Sequence, residues 1–166
     1  MTSAYSTDLK LELMVTGENS GTWGDRTNTN LNLVQQAIAG YEAINVASAD
    51  VTLVMTNATL SNARNMVLNL TGTLAATRVV NVPDGIEKTY IVADSTTRAG
   101  YTLTIKTVSG TGVAIPAGKT VLVYSDGTNV VDVFFMKDLV EDTTPQLGGN
   151  LDANGNNILI DSGNFI

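Results

Sequence analysis

Short runs of apolar and β-branched residues, separated by turn signals, occupy most of the chain after Gly40. Valine, isoleucine, threonine and tyrosine dominate these runs, and such residues favour a pleated strand. The turn SDGTN places Gly127 where a hairpin needs a positive φ. The eight runs are EAINVA, VTLVMT, NMVLNL, RVVNV, TYIVAD, YTLTIKTV, KTVLVYS and NVVDVFF. Their spacing predicts a mainly β domain over residues 41–136, an antiparallel β-sandwich or barrel-like fold.

The first part of the chain contains one alternating segment. In DLKLELMV, apolar residues recur at every second position: Leu9, Leu11 and Leu13. A period of two with one apolar face predicts a strand. The same segment could instead be an arm that binds a neighbouring subunit.

A helical period follows in TNTNLNLVQQAIAG. The apolar positions of an amphipathic helix are then Leu31, Val34 and Ile38, with the amides of Asn32, Gln35 and Gln36 on the other side. Asp25 or Thr27 can cap the start, and Gly40 is well placed to end the helix. The pattern predicts one helix from about Thr27 to Ala39.

The character of the chain changes again near residue 137. Residues 137–150 contain Pro145, Gly148 and Gly149 with little periodicity, which is typical of a linker. Residues 151–166 again show alternating strand and turn signals. They are predicted to form an extended segment that either begins a longer element or pairs with another chain.

Composition restricts the possible chemistry. The 166-residue chain has no cysteine and no histidine, so the commonest thiolate, general-base and metal-ligand groups are missing. Its net charge is −7 and it has no cluster of lysine or arginine residues, so no basic surface is expected that could attract the phosphates of a nucleic acid. No apolar run is long enough for a membrane span, and the N-terminus does not read as a secretion signal. We therefore expect a non-enzymatic protein with no cofactor, no metal, no nucleic-acid partner and no membrane partner.

The single tryptophan, in SGTWGDRTNTNL, has two interpretations. An exposed Trp23 could stack on a sugar, and Tyr101 or Tyr124 could act with it in a carbohydrate-binding module. The favoured interpretation is that Trp23 packs under a turn as a structural anchor, with Gly21 and Gly24 allowing close approach.

Three stretches carry a resemblance to a known family: TGENSGTWGDRTNTNLNLVQQAIAG, the middle run from LNLTGTLAATR to TNVVDV, and EDTTPQLGGNLDANGNNI. From Thr16 to Ile158 the chain resembles the N-terminal part of tail-fibre-like virion proteins of tailed bacteriophages, especially those of marine bacteria and cyanobacteria. The resemblance implies a homotrimer whose N-terminal module attaches the fibre to the tail, with a slender shaft beginning near residues 151–166. A host receptor would then be bound by a C-terminal region absent from this chain.

The sequence thus predicts a structural virion protein that docks onto a tail adaptor, nozzle or baseplate protein. Residues 1–40 form the predicted tail-attachment region. Its candidate docking residues are Tyr5, Leu9, Leu11, Leu13, Trp23, Asp25, Arg26, Asn28 and Leu31. The alternatives are a capsid-decorating or head-fibre protein and a carbohydrate-binding module for host glycans.

Overall fold

The computed structural model describes residues 3–134. The predicted linker at 137–150 and the predicted start of a shaft at 151–166 lie outside this range. Within it the chain is mainly β, as predicted, with one long helix. The elements are β1 Ala4–Tyr5, β2 Glu12–Leu13, α1 Trp23–Ala39, β3 Tyr41–Asn45, β4 Val51–Thr52, a 3-10 turn Asn62–Arg64, β5 Val67–Thr73, β6 Arg78–Val82, β7 Glu87–Thr97, β8 Leu103–Thr107, β9 Gly112–Ala114, β10 Thr120–Asp126 and β11 Val130–Asp132.

All eight predicted runs contain strands, which are β3 to β8, β10 and β11. The short β9 was missed because GVA, between SGTG and IPAG, is too brief to show a period. The predicted hairpin at SDGTN joins β10 to β11. There Gly127 has φ +83°, and the Asp126 carboxylate accepts hydrogen bonds from the amides of Thr128 and Asn129 at 2.8 and 2.6 Å.

The strands form two larger sheets, and the chain alternates between them. One sheet has the order β11-β10-β7-β5-β3 and the other β4-β6-β8-β9. Strands β3, β5 and β7 are parallel neighbours, as are β4, β6 and β8. Each pass of the chain therefore adds one strand to each sheet, and we call such a pair a rung. The three rungs are β3 with β4, β5 with β6, and β7 with β8.

The predicted antiparallel arrangement is wrong for these three rungs. Antiparallel pairing occurs only at the later strands, between β7 and β10, β10 and β11, and β8 and β9, apart from the small β1–β2 ribbon in the described residues. The turn signals between β3 and β8 carry the chain to the opposite sheet instead of reversing it within one sheet. A parallel pair needs a long crossover, and the strand in the other sheet supplies it. The sheets do not form a closed barrel in the described region.

The inner faces of both sheets share one hydrophobic core. Alternate residues of β5 and β7 point inward, so Leu68 lies beside Val92 in the parallel register. Val80 of β6 and Ile105 of β8 are paired in the second sheet and belong to the same buried cluster. At one side, the Val130 amide donates to Thr111 O at 3.0 Å and links β11 with the residue before β9. The rungs thus provide the rigid body on which the N-terminal region packs.

A lysine lies within this body. Lys88 of β7 is buried, its Nζ lies 4.5 Å from the centre of the Tyr90 ring, and it donates to Thr89 O at 3.1 Å. Burial lowers the pKa of Lys88 to about 8. Burial also raises the pKa of Tyr90, so this ring stays neutral while Lys88 titrates.

The free energy of unfolding is expected to rise between about pH 8 and pH 10, because the folded state then binds fewer protons at Lys88 than the unfolded chain does. The rise should be on the order of 2 kcal/mol, and Lys88→Met should remove it. Denaturant titrations at several pH values measure this dependence. Lys119→Met, at an exposed lysine, should keep the wild-type rise. An equal rise in Lys88→Met would contradict the assignment.

Candidate docking surface

The N-terminal arm, residues 3–15, does not form the predicted strand over residues 8–15. Residues 7–9 are a turn, Lys10 takes φ +54°, and only Glu12–Leu13 is a strand, paired with Ala4–Tyr5. The left-handed Lys10 breaks the alternation, so the three leucines share no face. Leu9 and Leu11 are half-buried, whereas Leu13 is 51% exposed.

The arm is fastened to α1. Asn30 of the helix makes two hydrogen bonds to the backbone of Glu12: its Oδ1 accepts from the amide at 3.0 Å, and its Nδ2 donates to the carbonyl at 2.9 Å. The buried Glu12 carboxylate forms an ion pair with Arg26, N to O 3.4 Å, and accepts from the Ser3 hydroxyl at 2.7 Å. The arm therefore packs on the helix of its own chain.

A single arginine joins the arm and the helix to the loop before β5. Arg64 is fully buried, at 0% exposure. Its guanidinium donates to three backbone carbonyls, Leu9 O at 3.1 Å, Thr56 O at 2.7 Å and Thr59 O, and also to Gln36 Oε1 at 3.3 Å and Ser61 Oγ at 3.4 Å. No carboxylate within residues 3–134 forms an ion pair with it. Burial lowers the pKa of Arg64, and the charge is balanced by oxygen dipoles alone.

Gln36 completes this cluster from the helix side. Its Nε2 donates to Ser61 O at 3.1 Å, and its Oε1 accepts from the Ser61 amide at 3.3 Å as well as from Arg64. The Lys10 carbonyl accepts from the Ala58 amide at 2.8 Å. The arm, the helix and residues 56–64 are thus held together mainly by polar contacts.

The helix itself is confirmed, but its buried face is not the predicted one. It begins at Trp23, four residues before the predicted start, and Thr22 is the N-cap without a side-chain capping bond. The predicted caps Asp25 and Thr27 lie inside it. Gly40 does end the helix, where a Cβ would overlap Gln36 O and Asn65 Oδ1.

The buried helix residues are Leu33 and Ala37. Leu31 is 60% exposed and Ile38 70% exposed, and Val34 between them is half-buried. Side chains at i and i+4 share a face, so Leu33 and Ala37 follow the side on which Asn30 and Gln36 make their hydrogen bonds. The polar anchors select the inner face, and the apolar residues predicted to be buried are left outside.

The predicted anchor role of Trp23 is also wrong. The indole is 65% exposed at the first residue of α1, directly after the turn formed by residues 16–22. Asp25 and Asn28 are exposed on the same helix, and Tyr5 is exposed on β1. The outward-facing apolar candidates are thus Tyr5, Leu13, Trp23 and Leu31, while Leu9 and Leu11 serve to seat the arm.

Tyr101 and Tyr124 lie elsewhere. Tyr101 is exposed before β8, and Tyr124 lies on β10, where its hydroxyl donates to Glu87 at 3.2 Å. With Trp23 at the start of α1, the three aromatic residues suggested for glycan binding come from three separate elements.

Within the two sheets, the buried carboxylate of Asp94 is held by hydrogen bonds and an ion pair. Burial would raise the pKa of Asp94, but hydrogen bonds from Thr96 and the Gly118 amide hold it below its usual range. Asp94 also pairs with Arg98 at 3.0 Å. In residues 3–134, no group of three acidic side chains is placed to hold a metal ion. No helix of the described part is long and apolar enough to cross a membrane.

Sequence reasoning did not identify Arg64 and Gln36, although a weak signal existed for the arginine. The motif T-L-x-x-x-R occurs twice, ending at Arg64 and at Arg78. Arg78 donates to Ala47 O at 3.3 Å, and its Nε is buried without a partner in the described region. Both arginines support backbone between strands, but only Arg64 reaches the arm.

No protein-family model matches the chain, and no curated protein or solved structure is significantly similar to it.

Replacing Arg64 by methionine should lower the free energy of unfolding by about 3 kcal/mol, because the carbonyls of Leu9 and Thr56 lose their side-chain donor and the bonds to Thr59 O and Gln36 Oε1 are also lost. Chemical denaturation followed by circular dichroism measures the loss. Arg78→Met is the matched control and should cost clearly less, since Arg78 makes one such hydrogen bond. Equal losses in the two variants would contradict a special role for Arg64.

Proposed function

We propose that this chain is a structural virion protein: the tail-proximal module of a bacteriophage tail fibre, which attaches a homotrimeric fibre to the tail. Its partner is a tail adaptor, nozzle or baseplate protein, and its place is the virion. The resemblance over Thr16–Ile158 supports this role. No enzymatic activity is proposed.

One observation carries the proposal: the anchored arm and helix present large apolar side chains to solvent. Tyr5, Leu13 and Trp23 are 40%, 51% and 65% exposed, although a core was available in the adjacent β body. Exposed aromatic residues on a rigid support are typical anchors of protein interfaces, since they bury a large area at a small entropic cost. In the β1–β2 register Tyr5 lies on the side of Glu12 and Leu13 on the side of Ala4, so the three residues do not share a single face. We use the name docking surface for these three exposed residues together.

The acidic character of the chain fits such a role. Arg26 is engaged with Glu12, so the docking surface offers apolar area with little free positive charge. A basic or apolar surface on the tail protein would complement it. Nothing about the surface suits a nucleic acid.

Virions assembled with a Leu13→Ser, Trp23→Ser double variant should contain at least tenfold less of this protein, because two apolar anchors of the docking surface are lost. Protein content is measured by immunoblotting of purified virions. The control is Val108→Ser, which removes an exposed apolar side chain outside the docking surface. Both variants should unfold at the wild-type denaturant concentration. Wild-type incorporation of the double variant would refute docking through these residues.

A carbohydrate-binding module is the second candidate, and the exposure of Trp23 favours it. It requires Trp23 fluorescence to respond to host-cell polysaccharide, whereas docking to a tail protein requires no such response. A capsid-decorating or head-fibre role differs only in location, and electron microscopy of labelled virions distinguishes it from the tail.

A further inference from the structure

The outer edge of β3 is unpaired. This strand ends the five-stranded sheet, and among residues 3–134 only β5 pairs with it. Two hydrogen bonds show which backbone groups face β5: the Val67 amide donates to Gly40 O at 2.9 Å, and the Val46 amide donates to Thr71 O at 3.0 Å. The backbone groups of successive residues in a strand point to opposite sides. We define the free edge as the groups that point away from β5, which are the N–H and C=O of Tyr41, Ala43 and Asn45.

The free edge is open to solvent. Its three residues are all exposed, Tyr41 at 58%. None of its N–H and C=O groups makes a hydrogen bond within the described part of the chain. Water satisfies these groups in the isolated protein, and a further strand can satisfy them instead.

The other edges of the two larger sheets are less suited to pairing. The edge strands β4, β9 and β11 have two, three and three residues, whereas β3 has five. Directly after β4, the Val54 amide donates to Asn62 Oδ1 at 2.7 Å and the Val54 carbonyl accepts from the Ala63 amide at 3.1 Å. Proteins often protect an edge strand with lysine or proline, and β3 contains neither. The free edge is therefore the best place on the described body for an added strand.

A groove begins at the same strand. Its volume is about 400 Å³, and it lies between α1 and the segment before β5. Tyr41 belongs to both features, because its side chain lines the groove while its backbone forms part of the free edge. The Tyr41 hydroxyl accepts from Asn69 Nδ2 at 2.8 Å, which fixes the ring. The other lining residues are all uncharged: Asn32, Gln35, Gln36, Ala39, Gly40, Leu60 and Asn65.

The groove also contains an acceptor without a donor. Asn65 is only 3% exposed, and its Nδ2 donates to Glu42 and to Asn62 O. Its Oδ1 accepts no hydrogen bond from residues 3–134 and is not sealed inside the protein, so it faces the groove. Gly40 keeps this oxygen accessible, since a Cβ there would lie 2.3 Å from it. An N–H group of a ligand can therefore bind Asn65 Oδ1.

We propose that the free edge and the groove bind an extended, uncharged segment of another protein, which joins the five-stranded sheet as a strand beside β3. An extended polypeptide presents N–H and C=O groups in the alternating order that the free edge requires. One end of the segment lies in the groove, where Asn65 accepts an N–H and where Tyr41 and Leu60 contact an apolar side chain. This inference goes beyond the proposed function, because neither feature contains a residue of the docking surface.

Charge favours such a segment over a second copy of the chain. Each copy has a net charge of −7, so two copies that meet edge to edge bring like charges together. Glu42 of each copy would then lie within the joined sheet. A short uncharged segment meets no such repulsion, and it matches the uncharged lining of the groove.

The first test uses a synthetic peptide with the sequence of β5, Val67–Thr73, labelled with fluorescein. This peptide carries no charge, and the same sequence pairs with β3 on its other side in the folded protein. Fluorescence anisotropy with the full chain should show saturable binding. Absence of saturable binding would overturn the proposal.

A proline variant tests whether the backbone of β3 makes the contact. Ala43→Pro removes an N–H that points to solvent, so it breaks no hydrogen bond of the described fold and should weaken peptide binding by about tenfold or more. The matched control is Ala114→Pro on the edge strand β9, where the neighbouring Ile115 amide donates to Leu103 O and the Ala114 N–H points away from β8. Wild-type affinity in Ala43→Pro, or equal losses in the two variants, would overturn strand addition.

Modified peptides give a second measurement that does not depend on the folding of a variant. One peptide is N-methylated at its second and fourth residues, and the other at its third and fifth. Only one of these sets can face β3, so one peptide should bind about tenfold more weakly and the other should bind as the unmodified peptide does. Equal affinities of the two peptides would overturn strand addition.

The groove is tested with two exposed aliphatic residues. Leu60→Asp places a charge in the groove and should weaken peptide binding by about fivefold, whereas Val54→Asp, outside the groove, should not. Equal affinity of the two variants would overturn the part assigned to the groove. The docking variant Leu13→Ser, Trp23→Ser should bind the peptide normally, so failure of the proposed docking role leaves this inference intact.

Sedimentation velocity of the chain without peptide identifies the rival occupant. Self-association that Ala43→Pro abolishes would show that a second copy occupies the free edge, and would overturn the proposal. Sedimentation that is the same for Ala43→Pro and the wild type supports a segment from another protein.

Discussion

The N-terminal half of the structure depends on one buried guanidinium. Arg64 donates to carbonyl groups of the arm and of residues 56–59 and to the Gln36 side chain of α1. Removing a cation from water is costly unless its donors are satisfied, and here neutral oxygens satisfy them without a carboxylate among the described residues. Segments far apart in sequence must therefore stay in place together, because the buried guanidinium of Arg64 loses an acceptor if any one of them leaves. This constraint turns a weakly apolar arm into a fixed part of the molecule.

The same constraint leaves α1 with a free apolar side. The main core is filled by the rungs, and α1 is attached beside them through amides, a guanidinium and two small or aliphatic residues, Leu33 and Ala37. A helix held by polar contacts need not turn its most apolar face inward. Fold and proposed assembly are thus connected: the interaction that fixes the helix also determines which side chains remain for partners.

Local features were predictable from the sequence, and features set by distant contacts were not. The β runs, the helix, its end at Gly40 and the Gly127 hairpin each follow from a short pattern, and all are present. Parallel pairing was missed because the sequence does not record which strands share a sheet. The buried face of the helix was misassigned because a sequence pattern places polar residues such as Asn30 and Gln36 on the surface. In the structure they form hydrogen bonds with Glu12 and Ser61, which lie outside the helix. Of the docking candidates, Leu9 and Leu11 were placed on the surface because the left-handed Lys10 has no sequence signature.

Native-state hydrogen exchange tests the central claim most directly. If Arg64 joins the arm, the loop and α1 into one unit, then the amides of Glu12, Ala58 and Gly40, one from each part, should exchange through openings of the same free energy. The account predicts equal protection at these three positions. Exchange of Glu12 and Ala58 at the rate of an unfolded peptide, while Gly40 remains protected, would contradict it.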